Sequence, residues 1–599
     1  MAVNRDIKYI NKDFNEFRSQ LLNYAQTYFP NTYTDFTPSS PGVMFMEMAS
    51  YVGDVLSFYL DNQVQENFLQ YARQSNNLYE LAYMFGYKPK TTGLATVDID
   101  FYQLVPSKTV GLDIVPDYDY ALYVDTNTQV SSRSSNTKFI IEDPIDFTIS
   151  SSLDPTTVSV AQVSGGSPTY YLLKKTRKAT SGTINSTSFS FGSPVEFSTV
   201  TINGADIAGV IDIVDSDGNI WYEVDHLAQE LVFDGIKNTP YILQTKQVQR
   251  RFTTRFLNLT TLQLQFGSGN PSDNDENVIP NPSNVGLGLP FEKNKLTTAY
   301  SPTNFIFTNT YGIAPSNTTL TVRYLTGGGV GSNVNANDLT ILNTSAIRFL
   351  KNNLNSTTAQ YIFNSVASNN ESAASGGQDG DSIEEIRQNS ISNFSTQLRN
   401  VTADDYLIRA LSMSPRYGVV AKAYTEKPKA DDANTTLDLY VLTYNSVGNL
   451  ANASTTLKNN LKTYINQYRM IGDTISIKDA FVINIACDFE IITLPNYNSN
   501  EVIFRCISSL QNYFNVNDWQ INQPIILRDI SVLIDNIEGV QTVSKVNITN
   551  KAGTTSGYSQ YAYDIAGATQ KGIIYPSLDP SIFELKYPNT DIKGRVVTI

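Results

Sequence analysis

Apolar residues recur at spacings of three and four between Phe14 and Phe85, and from Thr91 onward the dominant period falls to two. The change of period divides the chain before any composition is considered. Phe14, Phe17, Leu21, Tyr24 and Tyr28 share one helical face, and Pro30 with the polar run NTYTDFTPSS ends that helix. A second helix starts with Ser40 placed to cap it and Pro41 at the first helical position, where a missing N–H costs nothing. It is predicted to run to about Tyr71, roughly 45 Å at 1.5 Å per residue. Met44, Met48, Tyr51, Val55 and Phe58 follow a 4-3-4-3 spacing, a seam like that of a coiled coil. Phe45, Val52, Leu56, Tyr59 and Leu60 occupy another part of the circumference. Leu78, Leu81, Ala82 and Phe85 predict a shorter third helix, closed by Gly86 and Pro89.

A helix apolar on most sides must be buried on most sides. The stretch Val43–Leu60 has the look of a membrane span, but Glu47 and Asp54 lie inside it, and each acid costs roughly 2.5–3.5 kcal/mol near a bilayer centre. No membrane insertion is expected, and a buried helix of a water-soluble fold is preferred. Two covers remain open: the chain's own later domains, or a helix from another chain.

The middle of the chain reads as strands. VDIDFYQL, FIIEDPIDFTI, TYYLLKK, FSFGSPVEFSTVTI, LTTLQLQFGS and TLTVRYL are separated by Gly, Pro, Asn and Ser. Asp217-Gly218 between two apolar runs predicts a hairpin. Asp215, Asp217 and Asn219 lack the glycine and glutamate register of a calcium loop, so they are read as a turn. GSGNPSDNDENVIPNPSNVGLGLP is a long polar loop. Gly327, Gly328 and Gly329 follow a strand without the Gly-Lys-Ser/Thr ending of a phosphate loop, so they predict a sharp turn or a close backbone approach.

Beyond the glycines, helices and strands alternate. The block from Ser368 to Tyr424 holds Gly376 and Gly377, then Asp381 and Glu384 at capping-box spacing before an Arg-bearing helix through Leu398. Thr402 and Asp405 cap a second helix, ADDYLIRALSM. The block contains no nucleophile–base pair and reads as scaffold. Strand–helix–strand then recurs, predicting two small α+β modules in tandem. The loop-rich end after Asn550 reads as a hairpin or arm. The predicted class is α+β and multidomain. The segments are 1–90 (N-terminal helices), 91–325 (β-rich, with an insertion near 150–310), 326–436 (glycine turn and helical core), 437–549 (tandem modules) and 550–599 (C-terminal arm).

Composition narrows the chemistry. A net charge of −14, with no basic stripe, argues against nucleic acid as a partner. Cys487 and Cys506 are the only cysteines, too few for a disulfide framework, and they form no metal spacing. The first residues, MAVNRDIKYINKDF, carry no apolar signal-peptide core. The sole histidine, His226, sits where a surface or partly packed role is the default. One histidine removes most catalytic triads and most zinc or copper sites. Carboxylate chemistry remains as the common enzymatic option, and no motif pairs two acids for it. No enzyme activity, catalytic residue, cofactor or metal is expected.

Several blocks, in order, resemble the wedge proteins of contractile-tailed phage baseplates, the baseplate J-like family, most closely in T-even-like phages. They are DFTPSSPGVMFMEMASYVGDVLSFYLDNQVQENFL, YLTGGGVGSNV, the Ser368–Tyr424 block, IGDTISIKDAFVINIACDFEI, IEGVQTVSKVNI and PSIFELKYPNTDIKGRV. The resemblance implies a structural virion protein of the tail baseplate, assembled in the host cytoplasm. It implies an inner ring around the central hub, built by self-association, that rearranges on sheath contraction. The implied partners are a second copy, other wedge proteins through an N-terminal helix bundle, and the hub and sheath-initiating proteins indirectly. Carried onto this chain, the bundle seam is Met44, Met48, Tyr51, Val55 and Phe58, with copy-to-copy contacts within 437–599. A receptor-binding or glycan-degrading tail protein is the alternative, although no internal repeat of the kind found in fibres is visible.

Overall fold

The computed structural model describes residues 13–151, 154–236, 239–269, 311–397, 399–428 and 437–597. The chain is α+β and multidomain, with N-terminal helices, a β-rich middle and mixed helix–strand modules. Contacts group it into two units: residues up to Tyr87 with Ser382–Ile391, and Lys88–Asp381 with the residues from Ser392 onward. The polar loop expected after Phe266 lies mostly outside the described residues.

The first unit holds α1 (Phe14–Tyr28), α2 (Pro41–Gln65) and α3 (Ser75–Met84). Ser40 occupies the N-cap position and Pro41 the first turn, but the Ser40 hydroxyl bonds Tyr33 Oη rather than the helix. The second helix stops at Gln65, short of Tyr71. Glu66 accounts for this: its carboxylate accepts from the Arg73 and Gln74 amides at 3.0 and 3.1 Å and from the Asn77 side chain at 3.1 Å. Those bonds fold the chain back on itself before α3. Arg387 then donates to the Leu69 and Ala72 carbonyls at 2.9 and 3.0 Å, satisfying acceptors that a continuing helix would have used.

The second unit contains two β-rich cores. An eight-stranded sheet centres on Thr96–Val110 and Ser167–Ser181, paired antiparallel over eleven positions, with Val97, Ile99, Phe101 and Leu173 buried beneath it. A seven-stranded sheet runs in the order Thr183–Phe191, Thr318–Thr326, Ile207–Val214, Ile220–Glu223, Arg251–Asn258, Thr261–Phe266, Thr199–Asn203, over its own core of Trp221, Phe252, Leu264 and Phe266. The Asp217-Gly218 hairpin joins two of its strands. Asp215 accepts from the Asp217 and Asn219 amides and the Asn219 side chain, so its oxygens serve the turn.

Two α+β modules follow. In the first, Leu437–Tyr444 is buried at every position between neighbours Lys422–Glu426 and Ile475–Asp479, against helices Ala403–Leu411 and Thr455–Asn466. Thr402 and Asp405 form the capping box read from the sequence. In the second, Phe481–Thr493 is the central strand, with helices Ser499–Tyr513 and Leu527–Asp535 packed beside it. The chain end does not form an arm. Ser581–Glu584 and Ile592–Val596 pair parallel with that central strand, burying Ile582, Phe583 and Ile592 in the same core. Parallel pairing across about a hundred residues leaves no local signal. Glu584 locks the two modules together, accepting from the Leu450 amide at 2.6 Å and Asn484 Nδ2 at 2.7 Å; burial raises its pKa above the usual carboxylate value.

Asp338 is the contrary case. Burial opposes its ionisation, but hydrogen bonds from Ser132, Ser134 and the Arg133 and Ser134 amides outweigh it and lower its pKa. A depressed carboxyl pKa contributes stability above the unfolded value of about 3.9, and that contribution is lost as pH falls through the folded value. Asp338→Asn should therefore destabilise the fold by about 1–3 kcal/mol at neutral pH. The gap from wild type should narrow below about pH 4. Denaturant melts of both proteins at pH 7 and pH 3 would measure it; a gap independent of pH contradicts the assignment.

Candidate functional site

The glycines singled out in the sequence converge in space. Gly327, Gly328 and Gly329 all take positive φ (112°, 105° and 76°), conformations that L side chains rarely adopt, and Gly376 does so at 97°. Gly377 has ordinary backbone angles but no room. A Cβ there would lie 2.4 Å from Ser332 Oγ and 2.5 Å from the Gly329 oxygen. At Gly328 it would meet the Gly93 oxygen at 2.5 Å, and at Gly376 the Gly418 Cα at 2.9 Å. Four chain segments thus meet backbone to backbone.

Their polar groups pair directly. The Gly329 amide donates to the Gly93 carbonyl at 3.0 Å and the Val419 amide to the Gly376 carbonyl at 2.8 Å. Asn333 closes Gly377 from both sides, accepting its amide and donating to its carbonyl, each at 2.8 Å. One residue pair further on, Ser375 and Ser454 bond at 2.8 Å while the Ser375 carbonyl accepts from the Thr96 amide, also at 2.8 Å. The junction therefore joins the β-rich middle to the helix Thr455–Asn466 of the first α+β module. Its backbone amides and carbonyls pair within the junction itself, which suits a rigid joint.

Asp381 and Glu384 do not form the expected capping box. The box is one residue along: Ser382 and Glu385 exchange amide-to-side-chain bonds at 2.8 and 3.3 Å. Serine's hydroxyl reaches the third helical amide without strain. Asp381 is instead buried against Lys90, accepting its amide at 2.9 Å with the ammonium at 3.7 Å. Glu384 pairs with Arg387 and accepts from Gln388 at 3.1 Å.

The seam residues lie elsewhere, on α2, and its orientation is the reverse of a buried helix. Val43, Ser50 and Ser57 are the buried positions, at seven-residue spacing, and Gly53 lies against the Phe17 ring of α1. The small face packs inward. The large residues face out: Met44 is 50% exposed, Met48 57%, Tyr51 62% and Phe58 64%, with Val55 half-buried. Phe45, Val52, Leu56, Tyr59 and Leu60 are exposed as well. The sequence pattern located the apolar surface but missed that Ser50, Gly53 and Ser57 mark the internal contact. Small residues at seven-residue spacing were the available signal. By length and composition α2 would reach across a membrane, and only 17% of its apolar window is buried inside the fold. Arg18 pairs with Glu47 at 2.8 Å on the side facing α1. His226 is exposed, and among the described residues no group of three acidic, histidine or cysteine side chains is placed to hold a metal.

The junction makes a prediction of its own. Gly377→Ala should cost about 1–3 kcal/mol through overpacking, whereas Gly331→Ala, with nothing within 4 Å of its added carbon, should stay within about 0.5 kcal/mol. Paired thermal melts of the two variants would check this; equal losses would remove the steric account.

Residues 13–84, the segment that carries α1, α2 and α3, match the family described as "Bacteriophage baseplate protein, N-terminal domain". No curated protein matches the chain. Among solved structures, a chain of the anti-feeding prophage baseplate, determined by cryo-EM and six-fold symmetrised, is 9% identical over 89% of this chain and 86% of that one, with a TM-score of 0.25. The family match supports a structural component of a phage baseplate, located in the virion tail, and places the exposed helix inside the matched domain.

Proposed function

We propose that this chain is a non-enzymatic baseplate wedge protein of the J-like kind, and that α2 is the surface by which it joins a helix of another wedge protein. The observation that carries this is the apolar seam of exposed Met44, Met48, Tyr51 and Phe58, with half-buried Val55 among them, within the segment that matches a baseplate domain. Covering each such side chain contributes roughly 1.5–3 kcal/mol before entropy costs. A helix partner fits a 4-3-4-3 seam, because knobs at those positions enter holes of a facing helix. Lipid fits poorly, since Glu47, Asp54 and Asp61 punctuate the same helix.

Self-association and closure into an inner ring around the hub belong to the same reading, as does rearrangement when the sheath contracts. In it the glycine junction, with Gly327, Gly328, Gly329, Gly376 and Gly377, holds the tandem modules in fixed orientation. Asp381 and Glu384 are anchoring residues, one on Lys90 and one on Arg387. Many tyrosines, 36 in all, supply large amphipathic contact area for interfaces that hold by surface. Adaptable methionines in GVMFMEM suit a chain that sits in more than one environment.

The test is co-purification of the full chain with the other wedge proteins of its own virion. Met48→Glu with Val55→Glu should lower capture at least tenfold while circular dichroism and melting of the remainder stay as in wild type. Capture at the wild-type level would remove α2 as the joining surface. Partition of the wild-type chain into neutral lipid vesicles would favour a membrane instead.

A further inference from the structure

One carboxylate on α2 is left without a partner by the rest of the chain. Between Ser19 and Ala72 the sequence holds Asp35, Glu47, Asp54, Asp61 and Glu66, and no Lys or Arg at all. The other acids in that span are engaged. Asp35 accepts from the Thr37 amide and hydroxyl at 3.1 and 2.7 Å, and Glu47 pairs with Arg18 at 2.8 Å. Glu66 holds the turn before α3, and Asp61 is not free either. Asp54 alone has no hydrogen bond or ion pair among the described residues.

Its place on the helix gives this a consequence. Asp54 is half-buried, at the border between the inward side, where Gly53 lies against the Phe17 ring, and the exposed Tyr51 and Phe58 of the seam. Residues three before and four after it are its neighbours on the helix surface. A helix laid on the seam therefore closes over the Asp54 carboxylate. Taking a carboxylate out of water without a counter-charge is strongly unfavourable, whereas a cation placed against it makes the contact selective.

We infer that the helix docking on α2 belongs to another protein and sets a Lys or Arg against Asp54, so that this ion pair decides which helix docks and in what register. The inference rests on α2 being the joining surface and names the chemistry of its partner. Apolar complementarity by itself accepts any amphipathic helix, and a charge within the contact narrows the choice. A second copy of α2 cannot supply the cation. No Lys or Arg occurs from Pro41 to Gln65, so an identical helix brings only Glu47, Asp54 and Asp61 to the contact.

The test titrates the full chain with two designed helical peptides that share a leucine seam and differ only in their flanks, lysine in one and glutamate in the other. Wild type should bind the lysine peptide at least about tenfold more tightly at low salt, and the ratio should shrink in about 1 M salt, where screening acts within about 3 Å. Asp54→Asn should remove most of that preference and Asp54→Lys should invert it, with circular dichroism as in wild type. Glu47→Gln, whose carboxylate already serves Arg18, should change the ratio less than Asp54→Asn does. Equal binding of the two peptides by wild type, or a preference that survives Asp54→Asn, overturns the ion pair and leaves α2 as the joining surface. Binding of neither peptide overturns both. Sedimentation of the chain alone covers the remaining case: a dimer dispersed by Met48→Glu with Val55→Glu puts a second copy on the seam and overturns the cationic partner.

Discussion

Backbone packed on backbone, with no Cβ between, is the constraint on which the second unit depends. At the junction of Gly93, Gly328–Gly329, Gly376–Gly377 and Gly418, segments distant in sequence exchange amide–carbonyl bonds, Gly329 to Gly93 at 3.0 Å and Val419 to Gly376 at 2.8 Å. A side chain at Gly328 or Gly377 would stand within 2.5 Å of a neighbouring oxygen. Positive φ at Gly327, Gly328 and Gly329 turns the chain sharply after the strand Thr318–Thr326, which brings Asn333 onto both polar groups of Gly377. Ser375 and Ser454 then extend the contact to the first α+β module. Such a joint has few alternative packings, because each segment fills space that another segment's missing side chain left open.

The first unit solves an opposite problem. In α2 the internal contact uses Val43, Ser50, Gly53 and Ser57, residues with little apolar area, and leaves Met, Tyr, Phe and Leu outward. A helix buried for its own stability would place those residues the other way round. The arrangement makes sense where the stabilising surface is contributed from outside the chain, as in an assembly whose parts complete one another. Rigid joint and exposed helix are complementary requirements of a structural component: fixed geometry inside the chain, available area at its boundary.

Charge is distributed in keeping with that division. Buried ions are held by neighbours, as Asp338 is by Ser132 and Ser134, or Lys175 by Asp154 at 2.8 Å with the Asp146 and Ile149 carbonyls. Surface acidity keeps copies apart in general.

Local pattern determined a good deal by itself. Period and capping residues placed α1, the start of α2, α3, the Thr402–Asp405 box and the Asp217-Gly218 hairpin, because each depends on residues within a turn or two. The glycine run was legible as a turn or close approach for the same reason. Tertiary structure decided what each element met. It stopped α2 at Gln65 through Glu66, moved the capping box from Asp381 and Glu384 to Ser382 and Glu385, and turned the chain end into core strands beside Phe481–Thr493. It also chose which face of α2 packs inward. Periodicity reports that a side is apolar; whether that side is covered depends on partners distant in sequence, and those only the folded chain brings together.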